Sequence, residues 1–160
     1  MTDGELAACV LEALRNQRCS IATAESCTGG NIAHELTLVA GASDVVNGGV
    51  VAYCNEVKHR ILGVSKEDLN AYGAVSEPVV RQMADGAAAL MHADYAVATS
   101  GIAGPGGGTP AKPVGTVWTA VHRPSGTFTH LLNLKGSGGE IIGETTRYVL
   151  EWLLQSISRD

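Results

Sequence analysis

Basic residues are few in this sequence, and they are not clustered. The 160 residues include 11 Lys and Arg against 16 Asp and Glu, which gives a formal net charge of −5. The densest basic stretch, residues 58–60, is short enough to be one turn of a helix. A nucleic-acid groove needs clustered positive charge. We therefore expect no nucleic-acid partner.

Long apolar runs are also absent. No stretch approaches the roughly 18 unbroken apolar residues that indicate a membrane-spanning helix. Residues 1–5 are acidic, unlike the basic start of a secretory signal. We therefore expect no membrane partner and a cytoplasmic location.

Metal-binding patterns are missing as well. His34 and Glu35 begin like a helical zinc motif, but Leu38 occupies the place of the second histidine. No Cys-x-x-Cys spacing occurs, so we interpret the cysteines as free thiols. These four cysteines are Cys9, Cys19, Cys27 and Cys54. The sequence predicts no metal site.

The apolar content is sufficient for one domain with a real core. Hydrophobic residues make up 45% of the chain, and residues 1–160 contain no linker that would divide them. Helical periodicity predicts helices near 3–17, 28–39, 55–62, 76–92 and 141–157, with a short one after Ser65. Strands are predicted near 20–25, 48–53, 95–100, 115–122 and 127–134. Early alternation and a late hairpin predict a three-layer α/β/α sandwich, with a mixed, mostly parallel sheet of about five strands.

A serine stands where the first predicted strand changes into a helix. Ser26 lies within residues 24–30, Ala-Glu-Ser-Cys-Thr-Gly-Gly. The first amides of a helix lack partners, so they can hold an oxyanion while a serine attacks an acyl carbon. An N-cap serine followed by packing glycines is the structural alternative. Cys27 is a second candidate nucleophile, because a thiol at a helix start can be activated.

A tyrosine and a lysine follow the second predicted strand. Lys58 can act as a base for a serine if burial lowers its pKa, and the hydroxyl of Tyr53 can orient the amine or relay a proton. By spacing alone, however, Lys58 is more typical of a solvated surface lysine.

The segment 101–113 is a long loop rich in glycine and proline. It departs from the dinucleotide-binding pattern because Thr109 stands where the third glycine belongs, and no Lys-Ser or Lys-Thr closes it as a P-loop. We interpret it as a backbone wall for a small anionic ligand, with a plain ordered loop as the alternative.

Five stretches together resemble one family, the nicotinamide-nucleotide amidases of the type that forms the C-terminal domain of competence/damage-inducible protein CinA. The matching stretches are residues 23–30, 48–53, 55–58, 73–80 and 100–118. The resemblance implies the same layered fold and deamidation of nicotinamide mononucleotide to nicotinic acid mononucleotide and ammonia. It also implies Ser26 as the nucleophile, Lys58 and Tyr53 as its partners, and no cofactor.

Substrate-binding residues follow from the same resemblance and from the two loops. These are Glu25, Cys27, Thr28, Gly29, Gly30, Asn55, Gly101, Gly104 and Gly106. We expect a small-molecule nucleotide as the substrate, and we expect the protein to form a homo-oligomer.

One stretch departs from the family pattern. Members usually carry Gly-Asp-Arg before the last helix, whereas residues 136–138 are Gly-Ser-Gly here. An arginine there would suit a substrate phosphate, so its absence predicts weak preference for phosphorylated substrates unless Lys135, Arg147 or another subunit substitutes. Two alternatives therefore stay open: a non-catalytic nucleotide-binding or subunit-interaction module, and a hydrolase of another small amide.

Overall fold

A five-stranded sheet with helices on both faces forms the frame of the molecule. The computed structural model describes residues 1–159. The strands are β1 (Ile21–Glu25), β2 (Val46–Val51), β3 (Tyr95–Gly101), β4 (Thr116–Arg123) and β5 (Gly126–Asn133). The helices are α1 (Asp3–Asn16), α2 (Asn31–Thr37), α3 (Asn55–Arg60), α4 (Lys66–Tyr72), α5 (Glu77–Met91) and α6 (Gly138–Arg159). A single 3₁₀ turn, Ala42–Asp44, was not expected from the sequence.

The strand order is β2-β1-β3-β4-β5. The central strand pair, β1 and β3, is parallel, as is the pair of β1 and β2, whereas β4 pairs antiparallel with β3 and with β5. Four of the five strands therefore point in one direction. The predicted mixed sheet and the predicted hairpin are both confirmed.

Alternation along the central strands divides the interior into two cores. On one face, the large strand side chains Ile21, Tyr95, Val97 and Val121 pack against α1, α2 and α6. The other face presents small side chains to α5, namely Ala22, Ala24, Ala96, Ala98 and Ala120. Because side chains alternate between faces along a strand, the two sets come from neighbouring positions. The predicted three-layer sandwich is confirmed.

Helix α5 also passes very close to the chain after α3. A Cβ atom built on Gly86 would lie 1.9 Å from the carbonyl oxygen of Leu62. Only glycine lets the helix and this carbonyl approach so closely.

A bulge in β2 sets how β2 aligns with β1. Ile21 pairs with Val46 but Ala22 pairs with Gly48, so Asn47 is an extra residue. The side-chain amide of Asn47 donates to the carbonyl of Met91 at 2.9 Å, which anchors the bulge. Beyond it the two strands stay in step, and their carboxyl ends lie side by side.

The helices were searched for membrane spans. Among residues 1–159, no helix is both long enough and apolar enough to cross a membrane.

Candidate active site

A cavity of about 300 Å³ opens at the carboxyl ends of the parallel strands. Ligands of open α/β sheets commonly bind at this end. Eight of the residues predicted for the site line it: Ser26, Cys27, Tyr53, Asn55, Lys58, Gly101, Gly104 and Gly106. The fold thus brings together three stretches that are far apart in the sequence.

Ser26 is fixed directly after the end of β1. Its backbone N–H donates to the carbonyl of Thr99 at 3.0 Å, and the preceding carbonyl, of Glu25, accepts from the N–H of Ala52 at 2.8 Å. The nucleophile candidate is therefore held by both neighbouring strands.

Lys58 is buried and directed at the serine. Its Nζ donates to Ser26 Oγ at 3.1 Å and to the carbonyl of Ala52 at 2.7 Å. Only 1% of the lysine is exposed to solvent. The structure therefore excludes the solvated surface lysine that spacing alone favoured.

Burial changes the acid–base behaviour of Lys58. It lowers the pKa of the amine below the ordinary value of 10.5, because the charged form loses its hydration. The nearby Cys54 and Cys27 side chains raise the pKa, but they offset only part of the effect of burial. The neutral amine, which can accept a proton, is thus populated at a lower pH than in an exposed lysine.

Cys27 is poorly suited to nucleophilic attack. Burial raises the pKa of its thiol to about 11, and a hydrogen bond with Thr99 offsets only part of that effect. A thiol needs its deprotonated form to attack. Of the two neighbouring candidates, the environment favours Ser26.

Glu25 has a different place from the one expected. Its Oε1 accepts from Thr28 Oγ1 at 2.6 Å and from the N–H of Ile32 at 2.8 Å, while Oε2 accepts from the N–H of Ala33 at 3.0 Å. The carboxylate thus caps α2, whose N-cap residue, Gly30, has no side chain to do so.

Glu25 and Thr28, both predicted to bind substrate, thus lie behind the cavity wall at the start of α2. Both residues are buried, bond to each other and do not line the cavity. A sequence signal for this cap existed: a helix that begins with a glycine needs an acceptor from elsewhere.

Gly29 and Gly30 also serve the turn and do not line the cavity. Their φ angles are +60° and +98°, which delays the start of α2 to Asn31. The N–H of Gly29 donates to the carbonyl of Ser26 at 3.0 Å. Of residues 27–30, which were predicted to bind substrate, Cys27 alone lines the cavity.

Tyr53 lies at the mouth of the cavity. It is 74% exposed, and the hydrogen bond that orients the Lys58 amine comes from the carbonyl of Ala52. The orienting role expected of Tyr53 is thus filled by the backbone in this structure.

A lysine connects the glycine-rich loop to the end of α4. Lys112 Nζ donates to the carbonyl of Tyr72 at 2.6 Å. The N–H of Lys112 also donates to Thr109 Oγ1 at 3.0 Å, within the loop. The sequence does not reveal this contact, since the two residues lie 40 positions apart.

The start of α6 lies against the same loop. A Cβ atom on Gly138 would stand 3.4 Å from the carbonyl oxygens of Ala103 and Gly104. Ser137 and Glu140 form a reciprocal capping pair here, with N–H to side-chain distances of 3.0 and 3.2 Å.

Arg147 does not fill the place of the missing arginine. Its guanidinium pairs with Asp3 and with Glu151, each at 3.0 Å. Among residues 1–159, no group of three His, Cys, Asp or Glu side chains is placed to hold a metal ion.

Comparison with known proteins gives a consistent result. The family model of the CinA C-terminal domain matches residues 3–157. A CinA-like protein of Gemmatimonas aurantiaca is 44% identical over 158 residues, which are 99% of this chain and 37% of that protein. A CinA-like protein of Anaeromyxobacter dehalogenans is 57% identical over 117 residues, covering 73% of this chain and 28% of that protein. The chain thus spans about a third of the length of these curated relatives.

Solved structures match over nearly their whole length. The competence/damage inducible protein CihA from Agrobacterium tumefaciens is 42% identical with a TM-score of 0.94, covering 99% of this chain and 97% of that one. A CinA superfamily protein from Klebsiella pneumoniae is 34% identical with a TM-score of 0.96 and full coverage of both chains. Fold, sequence and the extent of the match agree, and the chain belongs to the CinA C-terminal domain family.

Proposed function

We propose that this chain is an amidohydrolase that converts nicotinamide mononucleotide to nicotinic acid mononucleotide and ammonia. One observation carries the proposal: the buried amine of Lys58 lies 3.1 Å from Ser26 Oγ in the wall of a cavity. A lysine without a counter-ion, hydrogen-bonded to a serine, is suited to activating it. The nicotinamide substrate comes from the family resemblance.

In the first half of the reaction, Ser26 Oγ attacks the carboxamide carbon. Its proton passes to the neutral amine of Lys58, and the carbonyl oxygen becomes an oxyanion. When the tetrahedral intermediate collapses, the carbon–nitrogen bond breaks and Lys58 gives its proton to the departing ammonia. The acyl group remains on Ser26 as an ester.

In the second half, water attacks the ester. Lys58, neutral again, takes a proton from the water, and the carbon–oxygen bond to Ser26 breaks. The proton returns to Ser26 Oγ, and the acid product leaves as a carboxylate after it gives the second proton of the water to the solvent. In both halves Lys58 thus acts first as a general base and then as a general acid.

The remaining lining residues have supporting roles in this proposal. The backbone N–H of Cys27 is next to the nucleophile and would donate to the oxyanion, a kind of contact commonly worth about 3–4 kcal/mol. The side chain of Asn55, at the start of α3, would contact the substrate carboxamide. Tyr53 would close the mouth over the bound ring and relay protons, and Gly101, Gly104 and Gly106 would form the backbone wall.

Ammonia release from nicotinamide mononucleotide tests the proposal. Wild-type protein should release ammonia, whereas Ser26→Ala should fold normally by circular dichroism and lose turnover. Cys27→Ala is the matched control, since it removes the neighbouring nucleophile, and it should keep most of the activity. Near wild-type turnover by folded Ser26→Ala would remove the serine from the mechanism.

A second candidate is a hydrolase of another small amide, and the glycine at position 138 favours it. The same catalytic pair would serve, with a pocket that does not require a phosphate. A panel of amides with and without phosphate distinguishes the two. Release of ammonia from none of them would favour a non-catalytic module.

A further inference from the structure

The residues that line the cavity differ in charge from the protein as a whole. The chain has a net charge of −5, yet no Asp or Glu is among the residues that line the cavity. Lys58 is the only Lys or Arg among the described lining residues, and its amine is committed to Ser26 and Ala52. The site thus lacks negative charge to repel an anion.

Lys112 is not among the residues that line the cavity, but its amine lies next to the segment that leads into the cavity wall. Its amine bonds to the carbonyl of Tyr72 and lies 3.5 Å from the position that a Cβ of Gly73 would take. The next two residues, Ala74 and Val75, line the cavity. Lys112 thus extends from the glycine-rich loop toward the segment that contains Ala74 and Val75.

The amine of Lys112 also has bonding capacity left. An ammonium group has three donors, and the one acceptor described for Lys112 is a neutral carbonyl. Within residues 1–159, no carboxylate forms an ion pair with it. A partly exposed ammonium without a counter-ion favours an anionic ligand.

We propose that Lys112 is a specificity-determining residue that binds the phosphate of the substrate at the rim of the cavity. This inference rests on the proposed function and deepens it. Lys112 supplies the positive charge that residues 136–138 do not.

Binding measurements in a Ser26→Ala background test this inference without turnover. Calorimetry compares nicotinamide mononucleotide with its riboside, which lacks only the phosphate. The mononucleotide should bind about 10- to 150-fold more tightly, the range expected for a charge-assisted hydrogen bond. Lys112→Met should remove this preference and leave riboside affinity unchanged, whereas Lys112→Arg should keep it.

The control is Lys66→Met, which removes an exposed lysine from the start of α4. It should keep the preference. If Lys112→Met is not folded by circular dichroism, Lys112→Gln takes its place with the same expectation. Equal weakening of both ligands would mean that Lys112 only holds the loop, and the inference would be overturned; equal binding of both ligands to the parent protein would overturn it too.

The outcomes separate this inference from the proposed function. If Lys112 governs the preference but wild-type protein releases no ammonia, the phosphate site stands and the amidase proposal fails. If ammonia is released equally from both compounds and Lys112→Met changes nothing, the amidase proposal stands and the phosphate site fails. If neither ligand binds, both fail.

Discussion

At the scale of single residues, Lys58 combines burial with the absence of a counter-ion. Its pKa is lowered because water is excluded from the charged form. In the unfolded chain the same amine titrates near its ordinary value, so the folded state binds fewer protons between the two pKa values. Stability from this residue therefore increases as the pH rises through that window.

The same shift predicts the pH dependence of catalysis. Activity should rise with pH as Lys58 loses its proton, and the rise should occur below the ordinary lysine value of 10.5. Lys58→Arg should lose activity by roughly 10²- to 10⁴-fold, because arginine stays protonated and cannot act as a base. Initial rates of ammonia release across pH measure both effects.

The control for this prediction is Lys66→Arg on the exposed start of α4. It should reproduce the wild-type rate and pH profile. An active Lys58→Arg enzyme with the wild-type profile would show that Lys58 is not the base.

Residue-level roles were only partly predictable from the sequence. Ser26 and Lys58 were found because the sequence places each after a strand within a recognisable motif. The capping contacts of Glu25 were not predicted, since its partners depend on where α2 begins and on two glycines with positive φ. Lys112 was missed because its contact with Tyr72 exists only in the folded chain.

At the scale of secondary structure elements, α5 depends on a glycine in its middle. Gly86→Ala should destabilise the protein although alanine favours helices, because the new methyl group would overlap the carbonyl of Leu62. Overpacking of this kind typically costs about 1–3 kcal/mol. Thermal or urea unfolding measures the loss.

A second helix provides the comparison. Gly143→Ala in α6 meets nothing within 4 Å, so it should be neutral or stabilise by up to about 1 kcal/mol. Equal stability changes in the two variants would contradict the close contact of α5 with Leu62.

The start of α6 gives a prediction about selectivity. The φ angle of Gly138 is outside the region reserved for glycine, and a Cβ there makes only ordinary contacts. Gly138→Arg should therefore fold, retain the Ser137–Glu140 cap, and bind nicotinamide mononucleotide about 10- to 150-fold more tightly. Riboside affinity, measured alongside by calorimetry, should not change.

A neighbouring position separates a local contact from a general charge effect. Gly139→Arg adds the same charge one residue later, where a Cβ meets nothing within 4 Å. Gly139→Arg should change the affinity for neither nicotinamide mononucleotide nor its riboside. Equal tightening by both variants would indicate long-range attraction instead of a phosphate contact at position 138.

Element positions were largely predictable. Periodicity located the long helices and all five strands, because amphipathic patterns survive in the sequence. The start of α2 and the 3₁₀ turn, Ala42–Asp44, were not located, since they depend on glycine dihedral angles and on packing. The bulge at Asn47 was not predicted either, because the pattern of a strand does not indicate which residues of the neighbouring strand it pairs with.

At the scale of the whole molecule, the proposed chemistry needs no metal. Prolonged dialysis against a strong chelator should leave both the activity and the melting temperature unchanged. The basis is that residues 1–159 contain no group of three potential metal ligands. Ammonia release and thermal unfolding before and after dialysis provide the measurement.

Samples to which zinc or manganese is added back serve as the control. Activity that collapses on chelation and returns with either metal would contradict the serine–lysine mechanism.

The extra residue in β2 has a consequence for the reaction itself. Asn47 sets the register between β2, which leads to Lys58, and β1, which leads to Ser26. Without Asn47, the residues of β2 past that point would move by one position, about 3.3 Å, and exchange faces of the sheet. Since that distance is comparable with the 3.1 Å between the amine of Lys58 and the hydroxyl of Ser26, the single extra residue in β2 sets whether these two groups lie within hydrogen-bond distance.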